Sequence, residues 1–96
     1  MRYIISYDIS NSYSRKEISD FLISYNFIRI QKSVFLGKIN HDLLEKFVEY
    51  LYIFLNNVKD SIIICPLNIE NLENSYFLGI TFDIDNFEEF KNFIIF

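Results

Sequence analysis

The chain has no tryptophan, and cysteine, proline, methionine and histidine each appear once among its 96 residues. A single cysteine can make neither an intramolecular disulfide nor a cysteine-rich zinc site. Cys65 lies in the apolar run Ser61-Ile62-Ile63-Ile64-Cys65, so it is expected to be a small buried hydrophobe in a reducing compartment. Two glycines and one proline exclude collagen-like, linker and low-complexity chains. There is no glycine-rich phosphate loop, no serine nucleophile elbow and no Cys/His pair, which removes P-loop nucleotide hydrolysis and acyl transfer from consideration. His41 has no second ligand at metal spacing and reads as a surface residue. No apolar run approaches the ~18 residues of a membrane span, and the N-terminus lacks the basic, apolar and small-residue order of a signal peptide. A cytoplasmic protein with no membrane partner is expected.

What is present is apolar and aromatic. Hydrophobic residues make up 51% of the chain, including eleven Phe and seven Tyr, enough for one core and one domain spanning 1–96. The net charge of −4 argues at first against a nucleic-acid partner, but its distribution does not. Residues 1–40 carry six Lys and Arg against three Asp and Glu, whereas residues 41–96 carry three against ten. Any anion-binding face therefore belongs to the first half.

Residues 2–9 read as a strand. Ser14-x-x-Glu17 has the form of a capping box, with Tyr13 placed to staple against Ile18, and Ile18, Phe21, Leu22 and Tyr25 give the following helix one apolar face. Asn26 suits the left-handed end of that helix. Phe27 to Ile39 is too long for one strand and divides near Lys32 into strands at about 27–31 and 33–39. Asn40 caps a second helix, with Leu43, Leu44, Phe47, Val48, Leu51, Phe54 and Leu55 on its stripe and Asn56-Asn57 as its stop. A fourth strand covers Asp60 to Leu67, residues 68–75 form a loop, and a further strand covers 76–84.

The order βαββαβ is that of an α+β ferredoxin-like sandwich with an additional C-terminal strand. In that fold both helices cover one sheet face and leave the other bare. So aromatic a chain is expected to bury the bare face in a homodimer, with residues 76–96 in the interface.

Within this frame, Ile4-Ile5-Ser6-Tyr7-Asp8 runs from strand formers straight into a carboxylate. Asp8 either opens an Asx-type turn or is held at a central strand end for chemistry. In a face-to-face dimer two copies of Asp8 could approach the two-fold axis, and two carboxylates that close need a proton or a divalent cation between them. Arg29-Ile30-Gln31 alternates as an edge strand with polar residues outward. Arg15 and Lys16, in the first turn of helix one, suit either a solvated face or a phosphate.

Taken together, Tyr7-Asp8-Ile9, Arg15-Lys16, Arg29-Ile30-Gln31-x-Ser33-Val34-Phe35 and Asp60-Ser61-Ile62 leading to Pro66-Leu67 resemble the CRISPR-associated endoribonuclease family, Cas two, the small subunit of spacer acquisition. The resemblance implies a homodimer whose first-strand aspartates bind Mg²⁺ or Mn²⁺ and which bridges copies of the CRISPR integrase. Carried over by position, Asp8 is the metal ligand and catalytic carboxylate, with Tyr7 and Arg29 as catalytic neighbours. Arg15, Lys16, Arg29 and Phe35 are the implied nucleic-acid contacts. Asn26 stands where the family commonly has Gly, and Leu36 where many members have an acid.

Two functions follow from this resemblance. One is a metal-dependent endonuclease acting on single-stranded RNA or double-stranded DNA. The other is a non-catalytic adaptor between integrase dimers. A ribonuclease toxin resembling virulence-associated protein D, and a small-molecule regulatory domain on the same fold, are further alternatives.

Overall fold

Residues 2–78 are described by a computed structural model. Strand β1 (Arg2–Asp8) alternates strictly: Tyr3, Ile5 and Tyr7 are buried, while Arg2, Ile4 and Ser6 are half-buried and Asp8 is exposed. Strands β2 (Ile28–Gln31), β3 (Val34–Lys38) and β4 (Ser61–Leu67) complete a four-stranded antiparallel sheet in the order β2-β3-β1-β4. Helix α1 (Ser12–Ser24) joins β1 to β2, and a short 3₁₀ turn (His41–Leu43) leads into α2 (Leu44–Ile53) between β3 and β4. This is the ferredoxin-like α+β arrangement expected, with β1 central. Of the expected fifth strand, positions 79–84 lie outside the described residues, as does the tail beyond them.

The first helix starts earlier than the capping box implied. Asn11 is the cap, its Oδ1 accepting from the Ser14 N–H at 3.0 Å, so Ser14 is already the third helical residue. Asn outranks most residues as a cap, and the chain turns helical as soon as it clears Ser10. Tyr13 is consequently 68% exposed, and the expected staple to Ile18 is not made. At the other end the sequence reading holds. Asn26 has φ 64°; its N–H reaches the Ile23 carbonyl at 2.9 Å and the Phe27 N–H reaches that of Leu22 at 3.0 Å, the paired bonds of a Schellman end. Asn40 does cap the second helical segment through the Asp42 N–H, but α2 ends at Ile53 rather than at Asn56-Asn57.

Two clusters of side chains lie on opposite sides of the sheet. Under α1 and α2, Tyr3, Ile5, Tyr7, Phe35 and Phe27 pack with Ile18, Leu22, Phe47 and Leu51. On the other side, Ile30 and Leu36 pack with Leu72 and Phe77. That second cluster corrects two expectations. Residues 68–75 are not simply a loop: Asn68 caps a helical turn, α3 (Ile69–Glu73), through the Asn71 N–H at 2.7 Å. The turn drives Leu72 to complete burial, so the sheet face opposite α1 and α2 is partly covered by the chain itself. Cys65 is a third correction: in β4 it is exposed, because Ile62 and Ile64 take the core-facing positions and period two turns Cys65 away. Among the described residues no helix is long and apolar enough to cross a membrane.

Candidate active site

Asp8 is the last residue of β1 and stands opposite Ser61 of β4 in the ladder. Strand alternation puts it on the side of Ile4, which packs against the Leu36–Leu72 cluster. Its neighbour Tyr7 points the other way. That side chain is 6% exposed and stacks on Phe35, ring centroids 6.1 Å apart. The two residues expected to act together thus project to opposite faces of one strand.

The turn leaving Asp8 is held from two sides. Asp60, at the entrance to β4, accepts from the Ser10 N–H at 3.0 Å and the Ser10 hydroxyl at 3.1 Å through Oδ1, and from the Asn56 N–H at 3.0 Å through Oδ2. The backbone bonds from Ser10 and Asn56 hold its carboxyl below the usual carboxylate range, since they favour the charged form. Arg15 approaches from helix α1, its Nη1 donating to the carbonyls of Ile9 and Ser10 at 2.9 Å each. In the sequence Asp60 stands as a strand start and as part of the family-like Asp60-Ser61-Ile62 segment, with no role of its own; its signal there is an acid closing the polar connection 56–60 between helix and strand.

The remaining candidates gather at the same end of the sheet. The β2–β3 turn lies beside the end of β1, since the Tyr7 N–H donates to the Ser33 carbonyl at 3.1 Å. Arg15, Lys16, Arg29 and Lys32 line a cleft of about 390 Å³ together with Tyr7, Ser12, Ser19 and Ser33. Four cations and no carboxylate make its lining electropositive. Arg29 and Phe35 are cross-strand partners, and the guanidinium carbon sits 5.0 Å above the phenyl ring, a cation–π arrangement. The same side chain donates to the Ser19 hydroxyl, while its buried Nε has no partner. Phe35 is completely buried; it supports Arg29 from below and offers nucleic acid no ring to stack on. Lys16 pairs with Asp20 at 2.7 Å on the exposed side of α1, and the hydrogen bond and charge of Asp20 raise its amine above the ordinary value.

Among the described residues, no group of three or more His, Cys, Asp or Glu side chains gathers to hold a metal. Asp8 enters as one exposed carboxylate on a rigid strand end. That suits Mg²⁺, which commonly binds through one or two carboxylates and keeps several waters.

The sequence profile described as CRISPR associated protein Cas2 matches residues 1–75. Among curated proteins, a CRISPR-associated endoribonuclease Cas2 of Aeropyrum pernix is 30% identical over 76 residues, covering 79% of this chain and 83% of that protein. One from Pyrobaculum aerophilum is 43% identical over 51 residues, 53% of this chain and 56% of its own length. Among solved structures, a hypothetical protein from Thermus thermophilus superposes with TM-score 0.64 at 30% identity, over 70% of this chain and 80% of that one. Streptococcus pyogenes Cas2, crystallised at pH 6.5, gives TM-score 0.73 over 82% of this chain and the whole of that one. At 19% identity the second likeness speaks for the fold alone.

Proposed function

The chain belongs to the family of CRISPR associated protein Cas2, and from that premise we propose that it is a CRISPR adaptation protein: a cytoplasmic homodimer with a metal-dependent phosphodiesterase site built on Asp8. The observation that carries this reading is the placement of Asp8, an exposed carboxylate at the end of the central strand, at the same end of the sheet as the four-cation cleft. Partial exposure of the second sheet face supports the dimer. Ile63 is 59% exposed, and among the described residues β4 stands at the edge of the sheet, a combination that favours pairing with a further copy.

In the dimer the Asp8 carboxylates of the two protomers would hold one Mg²⁺ or Mn²⁺. Such an ion, when bound, supplies an acidified water and neutralises charge on the phosphate. The chain's own contribution is placement and charge. Asp8 sits on a backbone fixed by pairing to β4, and Arg29 and Lys32 offer the flanking phosphates cations without competing carboxylates. The curated relatives carry the word endoribonuclease in their names, which favours single-stranded RNA as substrate, with double-stranded DNA as the alternative. The CRISPR integrase is the proposed protein partner.

The test is hydrolysis of single-stranded RNA and duplex DNA with and without Mg²⁺ or Mn²⁺, by wild type and by Asp8→Asn. Metal-dependent cleavage lost in Asp8→Asn supports the reading. Cleavage that survives the substitution in rigorously purified protein removes Asp8 from the site. One observation favours the adaptor reading: Tyr7 and Arg29, the implied catalytic neighbours, lie on the opposite sheet face from Asp8. Wild-type protein that binds duplex and integrase but cuts neither substrate would select it.

A further inference from the structure

Asp60 is engaged in a way that the proposed chemistry does not use. It directly precedes Ser61, the ladder partner of Asp8, yet its carboxylate turns to the loop on the far side of Asp8 and takes three donors there. Two of those come from Ser10, two residues after Asp8, and the third from Asn56 at the end of the helical layer. The carbonyls of the same short segment, Ile9 and Ser10, are taken by Arg15. Ile9 itself is buried at 3% exposure. The stretch following Asp8 is thereby fixed through its N–H, its hydroxyl, its carbonyls and one apolar side chain, while the Asp8 side chain itself stays exposed.

A carboxylate at a strand terminus is only as well aimed as the residues after it. β1 pairs with β4 as far as Asp8, and on its other side with β3 only to Ser6, so beyond Asp8 no ladder restrains the chain. From this geometry we infer that Asp60 is a positioning residue for Asp8: by binding Ser10 it fixes the exit from β1 and with it the direction in which the Asp8 carboxylate points. The inference rests on the reading of Asp8 as the reacting carboxylate. It assigns Asp60 no contact with substrate or ion; both its oxygens are engaged by protein donors, which the lowered titration of the group reflects. Misplacement of a reacting group by about 1 Å can cost on the order of 10²-fold in rate, so a residue that only aims Asp8 can matter nearly as much as Asp8.

The experiment uses the full chain with Asp60→Ala and Asp60→Asn, read in two ways. By nuclear magnetic resonance, Asp60→Ala should speed exchange of the Ser10 amide by about tenfold, as expected for a locally opened turn, and should move the side-chain carboxyl signal of Asp8. Asp60→Asn keeps one acceptor oxygen for Ser10 and should show both changes in reduced form; it also serves if the Ala variant does not fold. By kinetics, kcat on single-stranded RNA should fall with KM nearly unchanged, and Asp60→Asn should recover part of the loss. A Ser10 response without any response at Asp8 overturns the inference, leaving Asp60 a loop staple. So does an unchanged Ser10 amide. If wild type hydrolyses nothing, the nuclease reading fails while the resonance measurements still decide the positioning role in either direction.

Discussion

The two faces of the sheet are finished to different degrees. On the α1–α2 side, Tyr3, Ile5, Tyr7 and Phe35 are each at most 6% exposed, and aromatic rings from both helices and from the connection after α1 close over them: Phe27 of that connection stacks on Phe47 at 5.5 Å and Phe21 packs against both Phe47 and Tyr50. On the other side, among the described residues, only Ile30, Leu36, Leu72 and Phe77 reach comparable burial, while Ile63 and Cys65 stay exposed. One face is complete within a single chain and holds the fold together. Among the described residues the other is half-finished and carries Asp8 at the end of β1, so the core side chains of β1 and the candidate carboxylate lie on different surfaces of one strand, alternating residue by residue.

If that division is real, truncations on the finished face should cost most. Phe35→Ala removes the ring beneath Arg29 and beside Tyr7 and should destabilise by about 3–5 kcal/mol, measured as a shift of the urea midpoint. Leu72→Ala, equally buried but on the half-finished face, should cost about 2 kcal/mol, near the low end for its kind, because the open surroundings can collapse or rehydrate. Equal losses would mean that α3 closes a second core as complete as the first. Next comes Gly37→Ala. A Cβ on Gly37 would stand 2.5 Å from Cγ of Phe27, so the ring over β3 must shift, at a cost of about 1–3 kcal/mol. No loss there would show that the ring packing of the finished face has slack.

The sequence carried the frame well, because β1, the two helices and the β2–β3 turn rest on local signals. Tyr3, Ile5 and Tyr7 alternate with polar or half-buried neighbours, and Asn26 announces a left-handed helix end that only Gly and Asn accept readily. Where the reading failed, the competing signals were also local but their ranking was not. Ser14-x-x-Glu17 matches a capping box, yet Asn11 three residues earlier wins because the strand exit places it at the first free turn. The amphipathy of 68–75 is too short to register as a helix, so nothing local marks Leu72 for burial and from sequence the opposite face reads as bare. At the candidate site, Asp8 and the cations were legible as residue types. What could not be read is which face each takes: one residue of parity separates Tyr7 from Asp8, and the pairing of Asp60 with Ser10 spans 50 positions.

Acid should act on the exit from β1 before it acts on the finished face. The folded carboxyl of Asp60 titrates below its ordinary value of 3.8 because Ser10 and Asn56 donate to it. A lowered folded value means that its contribution is fully present above the unfolded value and is lost as pH falls through the folded one. The Ser10 amide should therefore keep its protection from neutrality down to about pH 4 and lose it only below. In the same titration amides under α1 and α2 should hold until global unfolding. Simultaneous loss at both places would make the exit part of the core rather than a separately secured element.

The smallest expected effect concerns the cleft at the shared end of the two faces. Lys32 sits on the β2–β3 turn and lines the cleft with Arg29 and Arg15, whereas Lys46 lies on the exposed side of α2, away from it. If the cleft takes one phosphate of a bound duplex through Lys32, neutralising that cation should release one fewer counterion on binding. Lys32→Ala should then flatten the dependence of log K on log salt by about 0.9, with little change in folding, since an exposed lysine on a two-residue turn holds nothing else in place. Lys16→Ala should change the slope less, because Asp20 already neutralises much of its charge at 2.7 Å. Lys46→Ala should leave it unchanged. A slope that responds to Lys46 as strongly as to Lys32 would place the duplex on the outer helix surface, and the four cations at the sheet end would then be a feature of the fold with no phosphate to bind.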